Sequence, residues 1–188
     1  LHEYAHARSS DKLGDPTPIM QGRLTPNPLV HIDPLGFILI FIINFGRGRP
    51  VIVNPAYYKN KLRDELLVAL AGPAMNILLA IIGTVIMFIY VSIVGIESLL
   101  ERDIVVQFWQ LFGWINIALA VFNMLPIYPL DGYRIVKYLR PKAGYAMERY
   151  RQYILIGLLA LIFLPNLLGL PIDPIGSIII NVSQAIYG

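Results

Sequence analysis

The stretch LLVALAGPAMNILLAIIGTVIMFIYVSIVGI, residues 66–96, decides the fold, because its 31 residues contain no Asp, Glu, Lys or Arg. About 20 apolar residues in a helix are enough to cross the hydrocarbon core of a bilayer. Residues 104–130 and 152–172 form two further charge-free stretches of this kind. Of the 188 residues in the chain, 56% are hydrophobic and 14% are charged, against about 25% charged residues in a soluble domain. The sequence therefore predicts an all-α polytopic membrane protein.

The chain before this stretch is predicted to be more irregular. Residues 1–13 are typical of a helix that ends before Gly14. Residues 34–46 are apolar but too few to cross a bilayer, which favours a re-entrant segment. Residues 22–25 and 51–53 are predicted to form short strands near this segment.

The basic residues predict the orientation of the chain. Of the 15 Lys and Arg residues, eight precede residue 66 and six lie between residues 133 and 151. Arg102 alone lies between the first two apolar stretches. The positive-inside rule therefore predicts that residues 1–65 and 133–151 face the cytoplasm.

Composition excludes several kinds of site. The chain has no cysteine, which excludes disulfides, thiolate catalysis and metal sites built on cysteine. Any metal must then be bound by histidine and carboxylate. The formal net charge of +3 arises beside apolar stretches, without the mixture of aromatic and basic residues typical of a nucleic-acid surface. We expect the lipid bilayer as a partner, and no nucleic acid.

The amino terminus carries the candidate chemistry, because residues 2–6 read HEYAH, an H-E-x-x-H motif. Positions i and i+4 share one face of a helix, so His2 and His6 can bind one zinc ion. Glu3 can approach a metal-bound water, take its proton and pass it to a leaving amine. The alternative is that both histidines only pack or cap, and it stays open until a third ligand is found.

A catalytic zinc site has three protein ligands and an open fourth position. Asp131 is the best candidate for the third ligand, since it follows the second apolar stretch on the predicted cytoplasmic side. The spacing equally favours another role, in which Asp131 caps a short amphipathic helix at residues 132–139.

The two motifs together resemble those of a known family. His2-Glu3-x-x-His6, followed by Asn123-x-x-Pro126 and Asp131-Gly132, resembles the site-2 protease family of intramembrane zinc metalloproteases. GPAMN at residues 72–76 and NPLVHIDPLG at residues 27–36 look like the compact prokaryotic branch of that family, which lacks PDZ and CBS domains. The resemblance extends from the first residues to about Gly132.

The resemblance implies a zinc ion bound by His2, His6 and Asp131, with Glu3 as general base. It implies hydrolysis of peptide bonds in or near the transmembrane segments of membrane-protein substrates. It also implies a prokaryotic cell membrane as the location, with the active site towards the cytoplasm. Asn123 is implied as a catalytic residue, because an amide can bind the substrate backbone or the oxyanion. Its alternative role is that of a helix C-terminal residue beside a proline turn.

Two further polar residues have open roles. Asn76 follows Gly72-Pro73, where its amide could satisfy freed backbone groups, pack between helices or take part in catalysis. His31 lies in a proline-rich loop, and we expect it to be a hydrogen-bonded structural residue and not a zinc ligand.

The alternative function is a membrane metal transporter or metal-binding sensor that uses the same histidines and aspartate. Glu3 discriminates between the two, because transport does not require a carboxylate next to an open position on the metal. We expect residues 1–188 to form a single membrane-embedded metalloprotease domain, in a fragment that lacks the segment before the zinc-binding helix. Substrate identity, regulation and oligomeric state do not follow from the sequence.

Overall fold

A computed structural model describes residues 1–33, 49–96 and 103–167, with residues 162–167 described by their backbone alone. The chain divides into two compact units, residues 1–75 and 76–188. The described residues are mostly helical, as the composition predicts, and none of them forms a strand. The predicted re-entrant segment at residues 34–46 lies outside the described residues.

The first unit is built from short helices, and Asn side chains cap two of them. They are α1 (His2–Lys12), α2 (Thr17–Met20), α3 (Pro28–His31), a 3₁₀ turn (Pro55–Tyr57) and the first turns of α4 (Lys61–Val94). The Asn27 side chain accepts from the Leu29 N–H at the start of α3. At the start of α4, Asn60 accepts from the Arg63 N–H while Asp64 accepts from the Asn60 N–H. This reciprocal arrangement resembles a capping box, with the second side chain supplied by Asp64, one residue later than in the usual motif.

The first helix ends where the sequence predicts. Leu13 closes α1, and Gly14 follows with φ of +99°, a conformation that L side chains rarely adopt. Asp15 is then fully buried and accepts hydrogen bonds from the Ser10 hydroxyl and from the Thr17 and Asn54 N–H groups. Burial alone would raise the pKa of Asp15, but the hydrogen bonds outweigh burial and hold the pKa below its ordinary 3.8.

The two predicted strands are not formed, and this part of the prediction is wrong. Gly22 has φ of +66° and its N–H bonds to the Ile19 carbonyl at 2.8 Å, so the chain turns at residues 19–22 and residues 23–25 follow without forming a strand. Residues 51–53 are not part of a ladder, and the backbone of Ile52 bonds instead to the side chain of Gln21. The β-branched residues there favour an extended chain, but a strand also needs a backbone partner.

Two of the described helices are long and apolar enough to cross a membrane. They are α4, with 34 residues, and α5 (Ile104–Asn123), with 20. Asp103 caps α5 by accepting from the Val105 and Val106 N–H groups, and it also accepts from the Tyr90 hydroxyl. The third predicted crossing corresponds to α8 (Arg151–Leu167), which has 17 described residues.

Two short helices of the second unit pack against each other between α5 and α8 in sequence. They are α6 (Tyr133–Leu139), which confirms the helix predicted at residues 132–139, and α7 (Pro141–Arg149). Gly144 of α7 lies directly against Lys137 of α6, where an added Cβ would be 2.5 Å from the Lys137 Cα. Glu148 accepts from the Lys137 ammonium at 3.0 Å and from the Tyr133 hydroxyl at 3.1 Å. A charged pair and a small residue thus hold the two helices together.

Candidate metal centre

The two histidines of the H-E-x-x-H motif converge on one point. His2 and His6 are one turn apart on α1, and their Nε2 atoms are 3.0 Å from each other. The rings meet edge to face, with centroids 4.6 Å apart. Two nitrogen ligands of a tetrahedral zinc ion at about 2.0–2.1 Å would be about 3.3 Å apart. The spacing of the two Nε2 atoms therefore fits a shared metal ion.

The tautomer of His6 is fixed by the backbone of α4. The Nδ1 atom of His6 lies 2.7 Å from the carbonyl oxygen of Val68, which can only accept, so Nδ1 carries the proton. In a neutral imidazole the Nε2 lone pair is then available to a metal. Donation from the second ring nitrogen to a carbonyl is the usual support of a metal-binding histidine.

Gly72 brings the backbone of α4 directly against both imidazoles. A Cβ at this position would lie 2.6 Å from the His2 Nε2 and would also overlap the His6 Nε2. Pro73 follows within the helix and has no N–H, so the carbonyl of Ala69 lacks its regular helical donor. Because Gly72 has no side chain, the two imidazole rings pack directly against the backbone of α4 at this position.

Glu3 is half-buried, and its carboxylate is held by a backbone group. The Oε2 atom accepts from the N–H of Val51 at 2.9 Å. Such a bond restricts rotation of the carboxylate and fixes the direction of its two oxygens. The second carboxylate oxygen keeps its lone pairs for proton transfer.

A buried cation lies within electrostatic reach of Glu3. Arg23 is 4% exposed and donates from its guanidinium to the carbonyl of Val30. Burial lowers the pKa of Arg23 and the nearby Arg49 lowers it further, whereas the negative charge of Glu3 opposes both. The guanidinium is a source of positive potential beside the candidate base.

Asp131 lies in the second unit, in the turn between α5 and α6. Gly132 donates its N–H to the carbonyl of Asn123 at 2.7 Å, which closes the turn. The cap residue of α6 is Gly132, one residue after Asp131. Asp131 is half-buried, close to the carboxyl end of α5.

The remaining candidates differ in their hydrogen bonds. The Asn123 amide donates to the carbonyl of Leu119 in its own helix at 2.9 Å. Asn76 is 2% exposed, and its Nδ2 has no hydrogen-bond partner among the described residues. The Nε2 atom of His31 donates to the carbonyl of Thr25 at 2.8 Å, which agrees with the structural role expected for this histidine.

Several residues around α1 were not identified from the sequence. Val68 and Val51 act through backbone atoms, so their side chains carry no signal of this role. Gly72 lies in a quoted motif and Arg23 in a predicted strand, but their proximity to the imidazoles and to Glu3 depends on contacts that are distant along the chain. A glycine beside a proline inside an apolar helix is the signal that could have indicated the contact at residue 72.

Comparisons with known proteins agree with this chemistry. The sequence profile of peptidase family M50 matches residues 1–165. The chain is 40% identical over 167 residues to "Putative zinc metalloprotease YwhC" of Bacillus subtilis, covering 88% of this chain and 76% of YwhC. It is 31% identical over 179 residues to "Putative zinc metalloprotease Rip2" of Mycobacterium tuberculosis, covering 90% of this chain and 64% of Rip2. No solved structure matches the chain. The chain therefore belongs to peptidase family M50, the site-2 protease family, and is a zinc metallopeptidase.

Proposed function

We propose that this metallopeptidase is an intramembrane protease that cleaves peptide bonds in or near the transmembrane segments of other membrane proteins. We further propose that His2, His6 and Asp131 bind its zinc ion and that Glu3 is the general base. The observation that carries the proposal is the 3.0 Å distance between the Nε2 atoms of His2 and His6. It is joined by the position of Glu3, which follows His2 on the same helix and whose carboxylate is fixed by the Val51 N–H.

The proposed chemistry divides between the metal and the chain. Bound zinc acts as a Lewis acid and lowers the pKa of a water to about 7. Glu3 accepts a proton from the attacking water and passes it to the leaving amine. The Val51 N–H keeps one oxygen of Glu3 in place during both transfers.

Asn123 has the proposed role of an oxyanion or substrate-backbone donor. Its amide bonds to the Leu119 carbonyl in this structure, so this role requires the side chain to rotate away from its own helix when substrate binds.

The position of the imidazoles along α4 supports cleavage within or close to the membrane. Gly72 lies six residues beyond Leu66, where the charge-free stretch begins, which corresponds to about 9 Å along the helix axis. A site at that depth is reached most directly by a peptide that is itself in the membrane. The excess of basic residues before residue 66 and at residues 133–151 supports a cytoplasmic location for this end of α4.

A substitution series separates metal binding from hydrolysis. We expect Glu3→Gln to abolish cleavage of a membrane-peptide substrate while about one zinc per chain is retained. His2→Ala, His6→Ala and Asp131→Ala should each lose zinc as well as activity, because three ligands define the site. Zinc is measured by mass spectrometry on the purified full-length protein in detergent, in parallel with cleavage.

His31→Gln is the matched control, since His31 bonds to a backbone carbonyl and its replacement retains a donor. This variant should keep its zinc. Full retention of zinc in Asp131→Ala would exclude Asp131 as the third ligand. Cleavage of soluble peptides at the same rate as membrane peptides would contradict the proposed substrate class.

A further inference from the structure

One segment near Glu3, residues 51–54, is held at three of its four residues by side chains from the amino-terminal part of the chain. Gln21 binds both backbone groups of Ile52, donating to its carbonyl at 2.7 Å and accepting from its N–H at 3.2 Å. Asp15 accepts from the Asn54 N–H at 2.7 Å. Glu3 accepts from the Val51 N–H at 2.9 Å.

The direction of these bonds follows from the geometry of an extended chain. In an extended chain the backbone groups of successive residues point to opposite sides, and here Ile52 and Val51 bond to different side chains, Gln21 and Glu3. Gln21 therefore imitates a neighbouring strand on one side of the segment. By holding Ile52, Gln21 also limits rotation of the adjoining backbone, and the Val51 N–H then stays directed towards Glu3.

Asp15 anchors the end of the segment in the interior of the first unit. Its side chain is fully buried and also accepts from the Ser10 hydroxyl, which lies 2.7 Å from the Tyr58 hydroxyl. Ser10 belongs to α1, the helix that carries His2, Glu3 and His6. The segment is therefore fixed to the same helix at both of its ends.

We infer that Gln21 and Asp15 are positioning residues for Glu3: by fixing residues 51–54 they hold the Val51 N–H against the carboxylate that serves as general base. The inference rests on the proposed function for the role of Glu3. In this inference Gln21 neither binds the metal nor transfers a proton, and its role is to orient Glu3 through residues 51–54. The Glu3 carboxylate would otherwise be free to rotate about its side-chain torsions, and proton transfer depends on its orientation.

The test combines hydrogen exchange with steady-state kinetics on the full-length protein in detergent. In Gln21→Ala we expect the amides of residues 51–54 to exchange about fivefold faster, since two solvent-accessible hydrogen bonds are lost. We expect kcat for a membrane-peptide substrate to fall about 10- to 100-fold, with KM and zinc content unchanged, as for other residues that orient a site. Gln21→Glu keeps the acceptor for the Ile52 N–H and should recover part of kcat.

Two further variants complete the design. Asp15→Asn should show the same pattern as Gln21→Ala, and the surface residue Gln21 keeps the inference testable if Asp15→Asn does not fold. Gln152→Ala is the matched control, because Gln152 is exposed at the start of α8. It should change neither the exchange of residues 51–54 nor kcat.

Three results would overturn the inference. Unchanged exchange in Gln21→Ala would show that Gln21 does not hold the segment. Faster exchange with unchanged kcat would show that the segment does not position Glu3. Loss of zinc in proportion to kcat would assign Gln21 to the stability of the metal site instead. If the wild-type protein cleaves no membrane peptide, the proposed function fails, whereas the exchange comparison still reports on the segment.

Discussion

Gly72→Ala tests whether the backbone of α4 determines the position of the zinc-binding imidazoles. The added Cβ would lie 2.6 Å from the His2 Nε2, whereas ordinary van der Waals contact begins at 3.4 Å. The rings must therefore move by about 0.8 Å, and a displacement of about 1 Å at a reacting group can reduce the rate about 100-fold. We expect a loss of that order in kcat/KM, together with weaker zinc binding, since ligand positions must hold to about 0.5 Å.

The assay measures zinc stoichiometry during dilution into a chelator and, separately, cleavage of a membrane peptide. Gly157→Ala is the matched control, because Gly157 also lies in a helix and an added Cβ there meets nothing within 4 Å. The control should retain zinc and activity. Normal zinc affinity and normal cleavage in Gly72→Ala would refute the reasoning, because α1 would then be free to shift away from α4 without consequence.

The other predictions concern stability and substrate. The low pKa of Asp15 adds stability that is present above pH 3.8 and is lost as the pH falls through the folded-state pKa. The melting temperature of the wild type should therefore drop more between about pH 5 and about pH 3 than the melting temperature of Asp15→Asn does. Gly132→Ala should lower both the melting temperature and zinc content, because its Cβ would lie 2.5 Å from the Met124 carbonyl carbon, and overpacking costs about 1–3 kcal/mol. Asp103→Ala should lower the melting temperature through loss of the α5 cap, and Tyr90→Phe should lower it by less. Replacing Gly or Pro by Leu near the cytoplasmic end of a cleaved transmembrane segment should slow cleavage. The reason is that a helix unwinds more easily at these residues, by about 1 kcal/mol at Gly and about 3 kcal/mol at Pro relative to Ala. Undiminished cleavage of the all-Leu helix would contradict an unwinding requirement.

The helices were predictable because their signals are local. Gly14 ends α1, Asp103 caps α5, and the charge-free stretch from Leu66 to Ile96 accounts for most of α4. Caps and apolar length act within a few residues of the boundary that they determine. The pairing of His2 with His6 was predictable for the same reason, since one helical turn separates them.

The contacts that orient the candidate site were not predictable, because they join distant parts of the chain through backbone atoms. Val68 offers its carbonyl to His6 across 62 residues, and Val51 offers its N–H to Glu3 across 48. Residues 51–53 show the limit of pattern reasoning. Their composition favours an extended chain, but the identity of the partner, the Gln21 side chain, depends on how the preceding turn is folded.

Under the proposed function, in which α4 crosses a bilayer, the contact between the imidazoles and Gly72 makes the rate and position of cleavage depend on the thickness of the surrounding lipid. A helix of 34 residues is about 51 Å long, well beyond a hydrocarbon core of about 30 Å, so α4 must tilt or extend into the headgroup layer. Tilt adjusts to acyl-chain length. Because α1 rests on one point of α4, a change in tilt alters the depth at which the two histidines lie. The same polypeptide would then cut a given transmembrane substrate at different positions in short-chain and long-chain bilayers.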